Sequence, residues 1–538
     1  MKMAVRRTGG LAVGIVASVL LTARPPDRLT AQSGLWRPEE RAVVSDFSYV
    51  TAVAASPSLV FAATTHGLTI YDRLARAWRL PITSLDGYPA ARVRVALADP
   101  VGDAVWLGTD EGWARYDADV RRWEGGFTAG GVINLMLDAG DPASGVFVQS
   151  ATGWGFLPRG ALVPIAGQPL PPPGRRIVPL TPETALKLAP MADALRALIL
   201  TDPRLRSFRF TCAARSPDRT DLFFGTSGIG VVRIDATTAE WQPLPLGLVA
   251  VRAGGVATGA GGVWVASLSR VGERRGLTQV AADLSAQTTF EGPGVIGFGC
   301  LEGRRLLVGE SLFWLACERG LLKIEAGSYR SRLFDAGRGL PSDDVLSLAP
   351  APDGVWVGTV RGLAAVTHDD RVFAIGTLAR PVLSLLAVGD SLWVGTADGL
   401  GLLLPGSNAV GMPPDVARQP ALHTPILALA SVRDMLVAVT ADQFAWRDPV
   451  THAWSLVHAR SDVGAITALV GDAGAGGVWI GGTAALAFWD LGRASFRMLR
   501  VPADIPAAVH DVAVDSQYVW VSTDSGLVRF TRSAALGR

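Results

Sequence analysis

Six histidines, three cysteines and three lysines are the scarce residues of this 538-residue chain that could bind a metal, attack a substrate or form a Schiff base. Zinc chemistry would want HExxH, an elbow nucleophile GxSxG, and a phosphate cradle a glycine-rich loop with lysine. His66, His368, His423, His452, His458 and His510 are scattered over the chain, with no HExxH and no acidic pair at metal-ligand spacing. GxSxG is missing, and the only lysines are Lys2, Lys187 and Lys323. The glycine runs at 259–262 and 474–477 do not fit GxGxxG and directly precede apolar segments, so they read as turns. Asp343 and Asp344 are adjacent carboxylates in a loop before a strand, where capping a turn outweighs acid–base work. No catalytic residue, metal ligand or cofactor is therefore assigned.

Composition narrows the partners. Apolar residues make up 49% and charged residues 18%, and 50 basic against 48 acidic side chains leave +2 without any run of like charge. Such a chain folds, has length for two to four ordinary domains, and lacks the basic footprint of a nucleic-acid binder. Lys2, Arg6 and Arg7 precede an uncharged stretch from Thr8 to Ala23, with small residues at Ala23 and Ala31. The pattern predicts a signal peptide over residues 1–31, because the apolar stretch is shorter than the ~20 residues a membrane-spanning helix needs. No second span follows, so the expected location is periplasmic or secreted.

The elements that must position any site come from a repeat. VWLGTDEG at Val105, VWVGTVRG at Val355, LWVGTADG at Leu392 and VWVSTDSG at Val519 share one strand motif. Weaker copies start at Leu59, Val146, Leu222, Val263, Phe313, Val437 and Val478, making eleven in all. Most are about 42 residues apart, the period of a four-stranded propeller blade. Asp72, Asp117, Asp235, Asp448 and Asp490 keep a second phase, each followed six residues on by Trp78, Trp123, Trp241, Trp454 or Phe496. An Asp there can cap the turn into the next strand, which the aromatic begins, covering the blade below. Gly108, Gly225, Ala266, Gly358, Gly395, Gly481 and Ser522 hold one small position in strand two, expected where adjacent blades approach closely. Gly67, Gly112, Gly320, Gly362, Gly399 and Gly526 follow the second turn and suit a positive φ. Seven strand-two tryptophans, each worth about 2 to 3 kcal/mol on burial, are expected to be structural.

The stretch GLPSDDVLSLAPAPDGVWVGTVRGLAAV, Gly339 to Val366, closely resembles the two-component regulator propeller repeat, in which GLP-S-x-x-V leads to DG-x-(V/L)W-(I/V)GT-x-x-GL. The resemblance extends over the mature chain through degenerate copies, although the GLP opening is echoed only by Gly87, Tyr88 and Pro89. It implies an extracytoplasmic ligand-sensing or interaction propeller, in a family often joined to a membrane span, a histidine kinase and a DNA-binding output. No such output is legible here, so any signalling would need a separate partner chain.

The expected fold is all-β: about eleven four-stranded blades, as two propellers in tandem over 32–300 and 301–538, with the boundary between 281 and 340. One outsized ring is the alternative. Residues 40–47 are the expected donor of the fourth strand missing from the last blade. The 76-residue gap between Phe147 and Phe223 holds an insert at about 169–200. It contains the run Pro169 to Pro173, a helix cap at Thr181 and Pro182, and apolar spacing through Ala185, Leu188 and Leu195, which reads as a packing helix or a lid.

Loops before strand one and hairpins between strands two and three emerge on one face of such a disc. That face gathers His66, Asp110, Glu111, Glu318, Arg319, Arg361, Asp398, Asp442 and Asp524, joined by Asp343 and Asp344, as candidate ligand-binding residues. Cys300, opening one strand, and Cys317, ending the next, could face each other as a disulfide in an oxidising compartment, with two packed thiols as the other reading. The chain reads as an exported, non-catalytic recognition module for a polar small molecule, glycan or protein. The alternatives are a propeller enzyme of the streptogramin-lyase kind, which would cluster two histidines and a carboxylate in one mouth, and a structural scaffold of an extracytoplasmic assembly.

Overall fold

The computed structural model describes residues 36–188, 199–201, 205–259, 261–292, 299–376, 378–458 and 461–537. The expected signal peptide lies outside them, as does Leu195 of the insert.

Runs of β-branched and aromatic residues in strand two form strands covered on both faces, and Leu59–Thr64, Ala104–Thr109 and Gly477–Gly482 are buried at every residue. With their neighbours they build eleven antiparallel sheets among the described residues. Blades 1 to 11 span residues 50–78, 93–127, 134–177, 199–244, 253–292, 305–334, 345–374, 382–403, 428–458, 466–500 and 509–531. Eight sheets have four strands, blades 3 and 4 have five, and blade 8 has three. In blade 8 the fourth strand shrinks to a bridge between Leu402 and Gly411, and the short helix Pro414–Ala417 buries Val416 in its place. Blade 11 takes its fourth strand from Arg41–Val44, paired from Arg41 opposite Phe530 to Val44 opposite Leu527, within the expected donor segment.

The turn-capping aspartates act as their phase predicts. Asp72 Oδ1 accepts from the amides of Leu74 and Ala75, Asp235 from Thr237 and Thr238, and Asp448 from Val450 and Thr451, at 2.7–3.1 Å. The aromatics vary: Trp123 and Trp454 are buried, whereas Trp241 is 41% exposed. Of the glycines after the second turn, Gly320, Gly362, Gly399 and Gly526 have the expected positive φ, from 127° to 143°. At Gly67 the need is space instead, since a side chain there would meet the Ile82 carbonyl at 2.6 Å.

The small strand-two position marks how the blades follow one another. A Cβ at Gly108 would strike Val132 at 2.7 Å, at Gly358 Val382 at 2.6 Å and at Gly481 Val509 at 2.8 Å, each leading into the next blade. A Cβ at Gly225 of blade 4, however, would strike Val50 of blade 1 at 2.6 Å. Hydrogen bonds repeat the pattern. Ser347 and Ser384 donate to the carbonyls of Val382 and Ile426 in the following blades, while Thr211 of blade 4 donates to Val50 at 2.6 Å. Blade 11 likewise turns back to blade 5, where Asp511 accepts from the Val256 amide at 3.1 Å and Trp520 packs with Val256 and Val265. The contacts thus run in two circuits, blades 5 to 11 through direct blade contacts and blades 1 to 4 with the insert segment linking blade 3 to blade 4. The division expected at 300 and 301 falls between Phe290 and Leu306, which share one apolar cluster.

Within the first circuit the insert stands between blades 3 and 4. Its helix is Pro182–Leu186, capped by Thr181 and packed with Phe210 and Phe224 of blade 4. Before the helix, Arg176–Ile177 pairs with Leu137 and Asp138 on the axis edge of blade 3, and Leu180 bridges to Ala213 of blade 4. Leu137 and Asp138 end the first strand, so this segment lies away from the mouth end and is not a lid over it.

Candidate functional site

The inner strand of most blades slips register by about one residue near its start. The shift falls across Thr51, Arg94, Thr211, Leu346, Leu383, Thr467 and His510, and across Gly254 and Gly255 in blade 5. A β-bulge re-aims a side chain at a sheet edge, here the edge nearest the axis. Thr51, Arg94 and Thr211 accordingly line a cavity of about 450 Å³ at the mouth of the first circuit, with Tyr49, Arg92, Val93 and Asp110.

The strand-two to strand-three hairpins do meet the loops before strand one. The Asp110 amide donates to the Arg92 carbonyl, Val360 to Asp344 and Ala397 to Pro381, each at 3.1 Å. Side chains reinforce the contact where Asp110 pairs with Arg94 and Asp398 with Arg380 at 2.8 Å, and Asp344 pairs with Arg304 of the preceding blade's loop. Asp524 receives Arg252 at 2.8 Å and His510 Nε2 at 2.9 Å. Burial opposes ionisation of Asp524, yet these two partners hold its carboxyl below the ordinary range.

Several expected residues are occupied by local structure. Glu318 accepts from the amides of Leu301 and Glu302 at 2.9 and 3.0 Å, so it fastens the loop before blade 6. Asp343 caps the Ala336 amide at 2.7 Å. His66 Nδ1 lies 3.0 Å from both the Asp46 carbonyl and the Thr65 hydroxyl. Glu111, Arg319, Arg361 and Asp442 are exposed on the hairpins. The residues therefore share an end of the blades but divide between two mouths, with His66, Asp110 and Glu111 in the first circuit and the other eight in the second.

Sequence reasoning passed over Arg92, Arg94, Arg252, Arg305 and Asp511. Arg305 of blade 6 crosses to the Thr467 carbonyl at 2.6 Å, the His510 carbonyl at 3.3 Å and the Asp511 carboxylate at 3.2 Å. Burial pushes the Asp511 carboxyl up, against Arg305 and the Val256 amide, which favour its charged form. The available signal was a polar or charged residue wedged into the apolar start of strand one, as in Val93-Arg94-Val95.

Cys300 and Cys317 are joined, with Cα atoms 5.9 Å apart and both residues fully buried. Cys300 does not open a strand: it lies in the loop before Arg305–Val308, so the bond ties that loop to strand two. Cys212 is free, and burial pushes its thiol up to about 12. Among the described residues no three His, Cys, Asp or Glu side chains group as a metal site, and no helix is long and apolar enough to cross a membrane.

No protein-family model and no curated protein matches the sequence. Solved structures do. PorZ, a bacterial surface component of the type-IX secretion system of Porphyromonas gingivalis, is 9% identical with a TM-score of 0.54, over 92% of this chain and 88% of that one. The extracellular domain of the hybrid two-component system protein BT4673 of B. thetaiotaomicron is 12% identical with a TM-score of 0.45, over 89% and 75%. Virginiamycin B lyase of Staphylococcus aureus is 11% identical with a TM-score of 0.42, over 52% and 95%. At these identities the likeness is one of fold: the chain is a nearly all-β, propeller-like protein.

Proposed function

We propose that the protein is an exported, non-catalytic recognition module of two propellers, four-bladed over 50–244 and seven-bladed over 253–531, that engages a ligand or partner on the mouth face. The chain crosses between the rings at 45–49 and 245–252, which run side by side through the Asp46–Gly247 bridge. The observation that carries the reading is the set of bulged inner strands at Thr51, Arg94 and Thr211, whose polar residues line the cavity at the first mouth. Non-repeated tips on a repeated frame are where selectivity costs the core nothing. The resemblance of Gly339 to Val366 to an extracytoplasmic sensing repeat supports the same class.

The test compares immobilised native protein with two triple variants, each incubated with the extracytoplasmic fraction of its own cells. Arg319→Ala/Arg361→Ala/Asp398→Ala removes exposed mouth charges, and Asp72→Ala/Asp117→Ala/Asp235→Ala removes turn caps at the other end. Loss of specific capture by the first and retention by the second is expected. The reverse, with both variants folded, would overturn the placement.

A further inference from the structure

The cavity at the first mouth, lined by residues of blades 1, 2 and 4, has a composition that suits one ligand class. Its volume, about 450 Å³, is within the range of small-molecule sites. Two arginines, Arg92 and Arg94, line it with one acidic residue, Asp110. Arg94 pairs with Asp110, whereas the Arg92 side chain has no ion-pair or hydrogen-bond partner among the described residues. Arginine forks recognise carboxylate and phosphate oxygens in a bidentate manner, with more directional fit than a point charge gives.

The remaining lining adds polarity of a defined sense. Thr51 donates its hydroxyl proton to the Ala63 carbonyl at 3.2 Å and Thr211 donates to Val50 at 2.6 Å. Both hydroxyl oxygens therefore present lone pairs, which suit a ligand that brings hydroxyl donors. Tyr49 is 38% exposed and supplies an aromatic face and a phenol. At the other end of the inner strands, Arg176–Ile177 occupies the axis edge of blade 3, and Arg175 pairs with Asp138.

We propose that this mouth binds a small, hydroxyl-bearing anion, a carboxylate or phosphate compound about the size of one sugar, with Arg92 and Arg94 gripping the acidic group. The proposal rests on the mouth-face reading above. Asp110 then competes with the ligand for Arg94, so removing its charge strengthens binding where removing either arginine weakens it. A general loss of structure would not produce these opposite signs.

The probes are glucose 6-phosphate, glucuronate and uncharged glucose, titrated calorimetrically into the full-length mature protein at low salt. At least one anion is expected to bind saturably with a Kd of about 1 mM or tighter, and glucose not to bind. The two anions separate phosphate from carboxylate recognition. Arg92→Ala and Arg94→Ala should each weaken binding about ten-fold, and Asp110→Asn should strengthen it several-fold. Unchanged melting of each variant, all three positions being solvent-accessible, guards against misfolding. Failure of both anions to bind, equal binding of glucose, or affinity indifferent to Arg92→Ala would overturn the proposal. Those outcomes leave the mouth-face reading to the capture experiment, in which the Asp72, Asp117 and Asp235 variant decides.

Discussion

Removing residues 36–44 should open the seven-blade circuit at one seam. The strand Arg41–Val44 is the outer strand of blade 11, and Ala42, Val43 and Val44 are 5%, 2% and 1% exposed. Its two faces serve different neighbours. Val43 packs with Val528, Phe530 and blade 10, while Ala42 and Val44 pack with Trp520 and blade 5. Two buried valines contribute about 1.5 to 3 kcal/mol each, and the alanine adds a smaller share. Truncation therefore costs about 4 to 7 kcal/mol before the newly bared Val528 and Phe530 are considered, a large part of the roughly 5 to 15 kcal/mol that holds a domain folded. The graded version is Val43→Ala, which should cost about 2 kcal/mol. Amide exchange over 518–531 and urea unfolding report the loss, and a synthetic peptide spanning 36–47 added in trans should restore protection. Native-like exchange at 527–530 in the truncated protein would refute the closure by this strand.

Asp448→Ala should lower stability, since Asp448 accepts from the amides of Val450 and Thr451, and a urea midpoint below that of native protein checks it. Alkylation of unfolded, unreduced protein should label one cysteine, Cys212, with three labelled after reduction; in the folded protein Cys212 should react slowly, since burial holds its thiol protonated. Acid should destabilise the fold through Asp99 and Asp472. Burial opposes their ionisation, but Arg159 and Arg115, and Arg532 with the Ala475 amide and the Trp479 indole, hold these carboxyls below the usual range. A depressed carboxyl stabilises the fold above its unfolded value, near 3.9, and loses that contribution as pH falls through the folded value. Asp99→Asn should therefore be less stable than native protein at pH 7, with a flatter loss of stability between pH 5 and 2; parallel curves for the two proteins would contradict this.

Within a blade the fold was legible because its cues are local and repeated. The strand-two run, the Asp-capped turn before Trp123 or Trp454, and the small residue at Gly108 each recur with the geometry their chemistry dictates. Which blade follows which was not legible. Gly225 meets a valine of blade 1 just as Gly481 meets a valine of blade 11, so the same side-chain contact serves a neighbour in sequence and one reached only by ring closure. The mouth was half legible for a related reason. Hairpin tips such as Asp110 and Asp398 announce themselves by varying on a fixed frame, but their partners Arg94 and Arg380 sit at or just before the first strand of the same blade, where only a register slip or a loop turns them toward the tip. Cys300 was misplaced on a strand, whereas the structure places it in a loop held by Glu318 and the disulfide.

Hydrogen exchange of the native protein, with and without the material captured from its own extracytoplasmic fraction, tests the central claim most directly. The account predicts added protection at the mouth segments, above all 49–51, 92–94 and 109–112 or 318–320, 360–362 and 397–399. Protection confined to the opposite turns at 73–76, 118–121 and 236–239, with the mouth segments unchanged, would contradict it.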